Sequence, residues 1–138
     1  MMGNVVAIIV GILLGACGSD TSTGKDADEL DGLTLQRTGT RVVFEMPNTT
    51  VVWTYTYDNG HYTYSVVAPD RKWTLAEEHG HYTVSEREGW LYVTYTREAG
   101  SWTNEHGEVI VLDPSMWENT LVLGHNMVQL GQSVFEIL

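Results

Sequence analysis

Between Trp53 and Tyr82 the chain carries seven large aromatic residues that one surface could gather: Trp53, Tyr55, Tyr57, Tyr62, Tyr64, Trp73 and Tyr82. A tyrosine brings ring area and also a hydroxyl that needs a partner, so a tyrosine-rich face suits a partly hydrated cavity. The chemistry on offer is noncatalytic binding of a small apolar or aromatic molecule. The alternative is that these rings pack on one another and fill the interior. His61, His79, His81, His106 and His125 all sit at or beside turn signals. With Glu78, His79 and His81 supply the ligand types of a Zn²⁺ or Cu²⁺ site. Residues i and i+2 around a tight turn need not converge, and no metal is assigned. Asp58 with His61, and Glu78 with His81, make acid–imidazole pairs that would be exposed and contribute little. Glu77, Glu78, Glu86 and Glu88 read as a solvated face. The chain has no Gly-x-Ser-x-Gly, no phosphate loop and no His-Glu-x-x-His. It is therefore read as not an enzyme and as needing no cofactor.

The elements that would position these residues are strands. Val, Thr, Tyr and Trp abound from Leu33 onward, and turn signals such as Asn59-Gly60, Pro69-Asp70, His79-Gly80 and Gly131-Gln132 recur at short intervals. Asn-Gly is the preferred pair for a two-residue type I′ loop. It fixes a register in which Asp58 faces His61, Tyr57 faces Tyr62, Tyr55 faces Tyr64 and Trp53 faces Val66. Alternation then puts the aromatic residues on one face and Thr54, Thr56, Thr63 and Ser65 on the other. Twenty residues later Trp73-Thr74 echoes Trp53-Thr54, and Gly80-His-Tyr-Thr83 echoes Gly60-His-Tyr-Thr63. A second hairpin is expected there, with His79-Gly80 as its loop, Leu75 facing Val84 and Glu78 facing His81. Further strands are expected at Arg41–Met46, Trp90–Arg97, Glu108–Leu112, Thr120–Leu123, Met127–Leu130 and Ser133–Leu138, with one helical turn over Asp113–Glu118. The fold class is all-β: a small antiparallel up-and-down barrel of about eight to ten short strands, since a sheet that long tends to curl and close.

Eighteen acidic residues against seven basic ones give a formal charge of −11. Such a chain is repelled by nucleic acid and by anionic headgroups, so no nucleic acid partner is expected. The apolar run Val5 to Leu14 is too short for a stable span and closes on small residues, as a secretory signal does. Its end, Leu14-Gly15-Ala16-Cys17, resembles the lipobox of bacterial lipoproteins. The resemblance implies a cleaved signal peptide over 1–16 and a Cys17 that is lipidated through its sulfur and carries palmitate-type acyl chains as the first mature residue. It also implies a membrane anchor in the bacterial cell envelope, at the outer membrane in a Gram-negative cell, with the domain on the extracytoplasmic side. Residues 17–32 are polar and acidic and read as a flexible tether, leaving 33–138 for the barrel. Cys17 is the only cysteine, so the domain has no disulfide. No protein partner is assigned.

Trp53-Thr-Tyr-Thr-Tyr-Asp-Asn-Gly-His-Tyr62, then Gly80-His-Tyr82-Thr-Val84, Leu91-Tyr-Val-Thr-Tyr95 and Asn119-Thr-Leu-Val-Leu123 together resemble bacterial lipoproteins with a lipocalin-like domain, over roughly Arg41 to Leu138. Leu30-Asp31-Gly32-Leu33 is the nearest match to that family's opening segment. The resemblance implies a barrel that holds a small apolar ligand. The alternative function is an envelope structural or protein-interaction module whose barrel is filled.

Overall fold

The computed structural model describes residues 29–138. The signal segment, Cys17 and most of the tether lie outside the described residues. Among the described residues nine strands follow one another: β1 (Thr34–Val43), β2 (Met46–Asp58), β3 (His61–Ala68), β4 (Trp73–Arg87), β5 (Trp90–Thr103), β6 (Val109–Leu112), β7 (Ser115–Leu123), β8 (Met127–Leu130) and β9 (Ser133–Ile137). Each barrel strand pairs antiparallel with its neighbours, β4 pairs with β5, and β1 pairs with β9, so eight strands close an up-and-down barrel. β6 is the extra strand. It lies on the last residues of β5 while β7 takes the earlier ones.

Local backbone chemistry explains the hairpins. Asn59 and Gly60 have φ of 51° and 81°, and the ladder beyond them has the expected register, from Asp58 opposite His61 to Trp53 opposite Val66. Glu88-Gly89 turns the β4–β5 hairpin in the same way, with φ of 54° and 83°. Phe44-Glu45, at 49° and 65°, turns the first hairpin without glycine or asparagine. The segment Arg41–Met46, expected as one strand, therefore contains that turn.

His79-Gly80 is not a loop. β4 runs straight through it, because Gly80 is where two backbones meet: a Cβ there would lie 2.0 Å from the Thr96 carbonyl oxygen. The apparent repeat is thus a hairpin followed by a long continuous strand. Asp113–Glu118 is likewise not a helical turn. Asp113-Pro114 separates two collinear strands, β6 and β7, on the same edge of β5.

One end of the barrel, the base, is packed. Leu35, Tyr57, Tyr62, Tyr82, Val93 and Tyr95 are buried there, with β7–β9 contributing Leu121, Val128, Leu130 and Phe135. Leu30 plugs the base and is fully buried. The Gly32 N–H donates to the Tyr57 carbonyl at 2.8 Å, and the Asn59 N–H donates to Asp31 Oδ1 at 2.6 Å. Leu30, Asp31 and Gly32 thus dock on the base of the barrel. The other end, the mouth, is splayed because β8 and β9 are short. β1 pairs with β9 only at Leu35 and Gln36, and β7 pairs with β8 only over Leu121–Leu123.

Candidate functional site

Register sorts the seven aromatic residues along the barrel. Tyr57, Tyr62 and Tyr82 belong to the packed base. Tyr55 is half-buried above them, its ring 4.5 Å from Tyr64, 5.6 Å from Tyr95 and 5.5 Å from Phe135. Trp53 and Tyr64 reach the mouth, where a cleft of about 610 Å³ opens. Phe44, Val66, Leu75 and Trp102 help line that cleft. Trp73 stands at the same end but turns its ring onto Phe44, 4.8 Å away and edge-on. The structure therefore divides the set into core rings, the cleft rings Trp53 and Tyr64, and Trp73, which packs on Phe44 outside the cleft lining.

The core hydroxyls find partners inside the barrel. Tyr57 and Tyr95 share a hydrogen bond of 2.6 Å. Tyr62 donates to Glu78 Oε2 at 2.7 Å. Burial is the main reason that Tyr55, Tyr57, Tyr62 and Tyr95 all ionise well above the ordinary tyrosine range. Tyr64, nearer the mouth, is pushed up to about 12 by burial and by Glu78, while Arg37 and Arg41 pull the other way.

Glu78 departs from its reading as a solvated residue. Because β4 does not turn at Gly80, Glu78 shares the inward face with Tyr82, and its side chain is only 10% exposed. Arg97 Nη1 lies 3.5 Å from Glu78 Oε1, while Arg97 Nε donates to the Asp113 carbonyl and the guanidinium covers the Trp117 ring at 5.3 Å. The acid that faces His81 is instead Glu98, with Oε2 2.6 Å from His81 Nδ1 and Oε1 3.7 Å from His79 Nδ1. His61 and His81 meet ring to ring at 4.5 Å on the outer face. Among the described residues no three metal-ligating side chains converge on a common point.

Tyr95, Trp102 and Trp117 were not among the expected site residues. Tyr95 was legible in the alternation of Leu91-Tyr-Val-Thr-Tyr95. Trp102 was not, because Ala99-Gly100 resembles a turn and hides the strand that continues beyond it. Gly100 is small because a Cβ would come within 2.7 Å of Glu78 Cβ.

On β1, Leu35, Arg37, Gly39 and Arg41 alternate onto the face that pairs with Tyr55, Trp53 and Val51 of β2; Leu35 is buried, and Arg37 and Arg41 are exposed. The Trp53 ring is laid along that face. The Arg37 guanidinium sits 4.6 Å from the ring centroid, and a Cβ on Gly39 would touch the ring at 3.4 Å. Arg41 lines the cleft. The result is an apolar, aromatic floor with the Arg41 guanidinium in its lining and Arg37 over the outer side of Trp53 next to it, an arrangement that can hold a small molecule. No protein-family model matches the chain, and searches of the curated proteins and of the solved structures found no match.

Proposed function

We propose that the protein is a noncatalytic binding module that takes a small apolar or aromatic molecule in the mouth of its barrel. The observation that carries this reading is the split of the interior. The base is filled by its own side chains, whereas the mouth holds about 610 Å³ over Trp53, Tyr64 and Trp102. That volume lies in the range of roughly 300–1,000 Å³ typical of small-molecule sites, which are apolar with a few placed polar groups. The filled base, taken alone, favours the rival reading of a structural or interaction module.

A titration with N-phenylnaphthylamine, a neutral dye that brightens in dry apolar surroundings, decides between them. Saturable binding is expected. Trp102→Ala should weaken it about tenfold, the loss of roughly 1.4 kcal/mol for one aromatic contact. Trp102 is 44% exposed, so its removal leaves the fold intact. Trp90→Ala, a similar truncation at the β4–β5 turn, should change nothing. No saturable binding, or equal losses in both variants, supports the interaction module.

The reading includes a lipid anchor on Cys17 that tethers the domain to the bacterial envelope. Its support is the lipobox-like Leu14-Gly15-Ala16-Cys17. Metabolic labelling with an alkyne fatty acid should mark the wild type and not Cys17→Ala. Equal labelling of the two would remove the anchor from the proposal.

A further inference from the structure

We infer that the molecule held in the mouth is an anionic amphiphile, its apolar body on Trp53, Tyr64 and Leu75 and its acidic headgroup against Arg37 and Arg41. The inference rests on the proposed binding at the cleft and adds the charge of the ligand. Three observations carry it.

The first is placement. In a chain of formal charge −11, β1 carries two arginines and no acid; both alternate with Leu35 and Gly39 on the face whose β2 partners include Trp53 and Tyr55, and both are exposed there. The second is the lack of a competing partner. Among the described residues the arginine ion pairs are Arg87 with Glu118 and Arg97 with Glu78, and neither Arg37 nor Arg41 pairs with a carboxylate. Glu105, the acid that lines the cleft, lies instead beside His106, 3.7 Å from Nε2. The third is pre-organisation. Gly39 leaves room for the Trp53 ring against β1, and the Arg37 guanidinium carbon lies over that ring, 4.6 Å from its centroid. A guanidinium held over a ring spends no N–H donor on that contact, and its fork of donors matches the oxygens of a carboxylate, sulfonate or phosphate. The ladder of β1 with β9 stops at Gln36, so no neighbouring strand on that side pairs with the backbone at Arg37 or Arg41.

The test compares N-phenylnaphthylamine with anilinonaphthalene sulfonate, the same framework bearing an anionic group. The sulfonate should bind about tenfold more tightly at low salt, and the preference should shrink as salt is added. In an Arg37→Gln, Arg41→Gln double variant, shown by its melt to be folded, the ratio of the two affinities should fall toward one. Arg→Lys at both positions should keep part of the preference, since charge survives but the planar fork does not. A ratio near one in the wild type, or a ratio indifferent to the double variant, overturns the inference. Failure of the neutral dye to bind overturns the proposed function itself. Competition by phosphatidylglycerol vesicles as strong as that by free decanoate identifies membrane lipid as the source of the headgroup, and competition by decanoate alone identifies a free amphiphile.

Discussion

Single residues set the limits of this barrel where backbones crowd. Gly80 is the clearest case. A methyl group there would stand 2.0 Å from Thr96 O, 2.9 Å from Thr96 C and 3.0 Å from Arg97 Cα, all backbone atoms that no rotamer change can move aside. Gly80→Ala should therefore force β4 and β5 apart and destabilise the fold by at least about 1–3 kcal/mol, the scale of an overpacked interior. A chemical denaturation midpoint equal to that of the wild type would contradict the close approach. Gly60 differs. Its surroundings are open and its constraint is a φ of 81°, so the two glycines of the repeated Gly-His-Tyr-Thr run serve different physical ends. One motif therefore reads as a turn at its first occurrence and as a strand crossing at its second.

At the scale of elements, the deciding feature is the unequal length of the strands. β4 and β5 have 15 and 14 residues, whereas β8 and β9 have 4 and 5. The long pair spans from base to mouth, and the short pair closes only the base. β5 serves two partners in succession along one edge, β7 and then β6. The change occurs at Asp113-Pro114, where proline has no N–H to donate to a ladder. β6 then presents Val109 and Val111 outward, 66% and 79% exposed. A bulge at Glu98 separates Arg97, opposite Gly80, from Ala99, opposite His79. The same bulge carries the carboxylate that meets His81 on the outer face. Bulges and strand lengths of this kind depend on which neighbour is paired, which is why the repeat suggested a second hairpin.

For the molecule as a whole, the tyrosine core predicts how stability responds to alkali. Tyr55, Tyr57, Tyr62 and Tyr95 ionise well above the ordinary range in the fold, and Tyr64 at about 12, against 10.0 for an unburied phenol. Below pH 10 both folded and unfolded chains keep these protons, so the contribution is fully present. Above pH 10 the unfolded chain releases protons that the fold retains, and stability falls as pH rises. In a Tyr82→Phe, Tyr92→Phe background, which leaves only the five tyrosines named above, tyrosinate absorbance should be absent near pH 10 and should rise at higher pH, most of it together with loss of near-ultraviolet circular dichroism. Tyrosinate appearing near pH 10 in a protein that stays folded would contradict a buried core. The amino-acid sequence by itself determined the β class, the up-and-down order, the Asn59-Gly60 register and the gathering of Trp53 to Tyr64 on one face. Each of these follows from local turn chemistry and period-two alternation, which act over a few residues. Only the tertiary structure decided which rings fill the base and which line the mouth, that Glu78 faces Arg97 within the barrel, and that Arg41 lines the cleft with Arg37 over Trp53 beside it, neither paired with a carboxylate among the described residues. Those outcomes depend on strand stagger and on contacts between residues distant along the chain, and no local pattern encodes either.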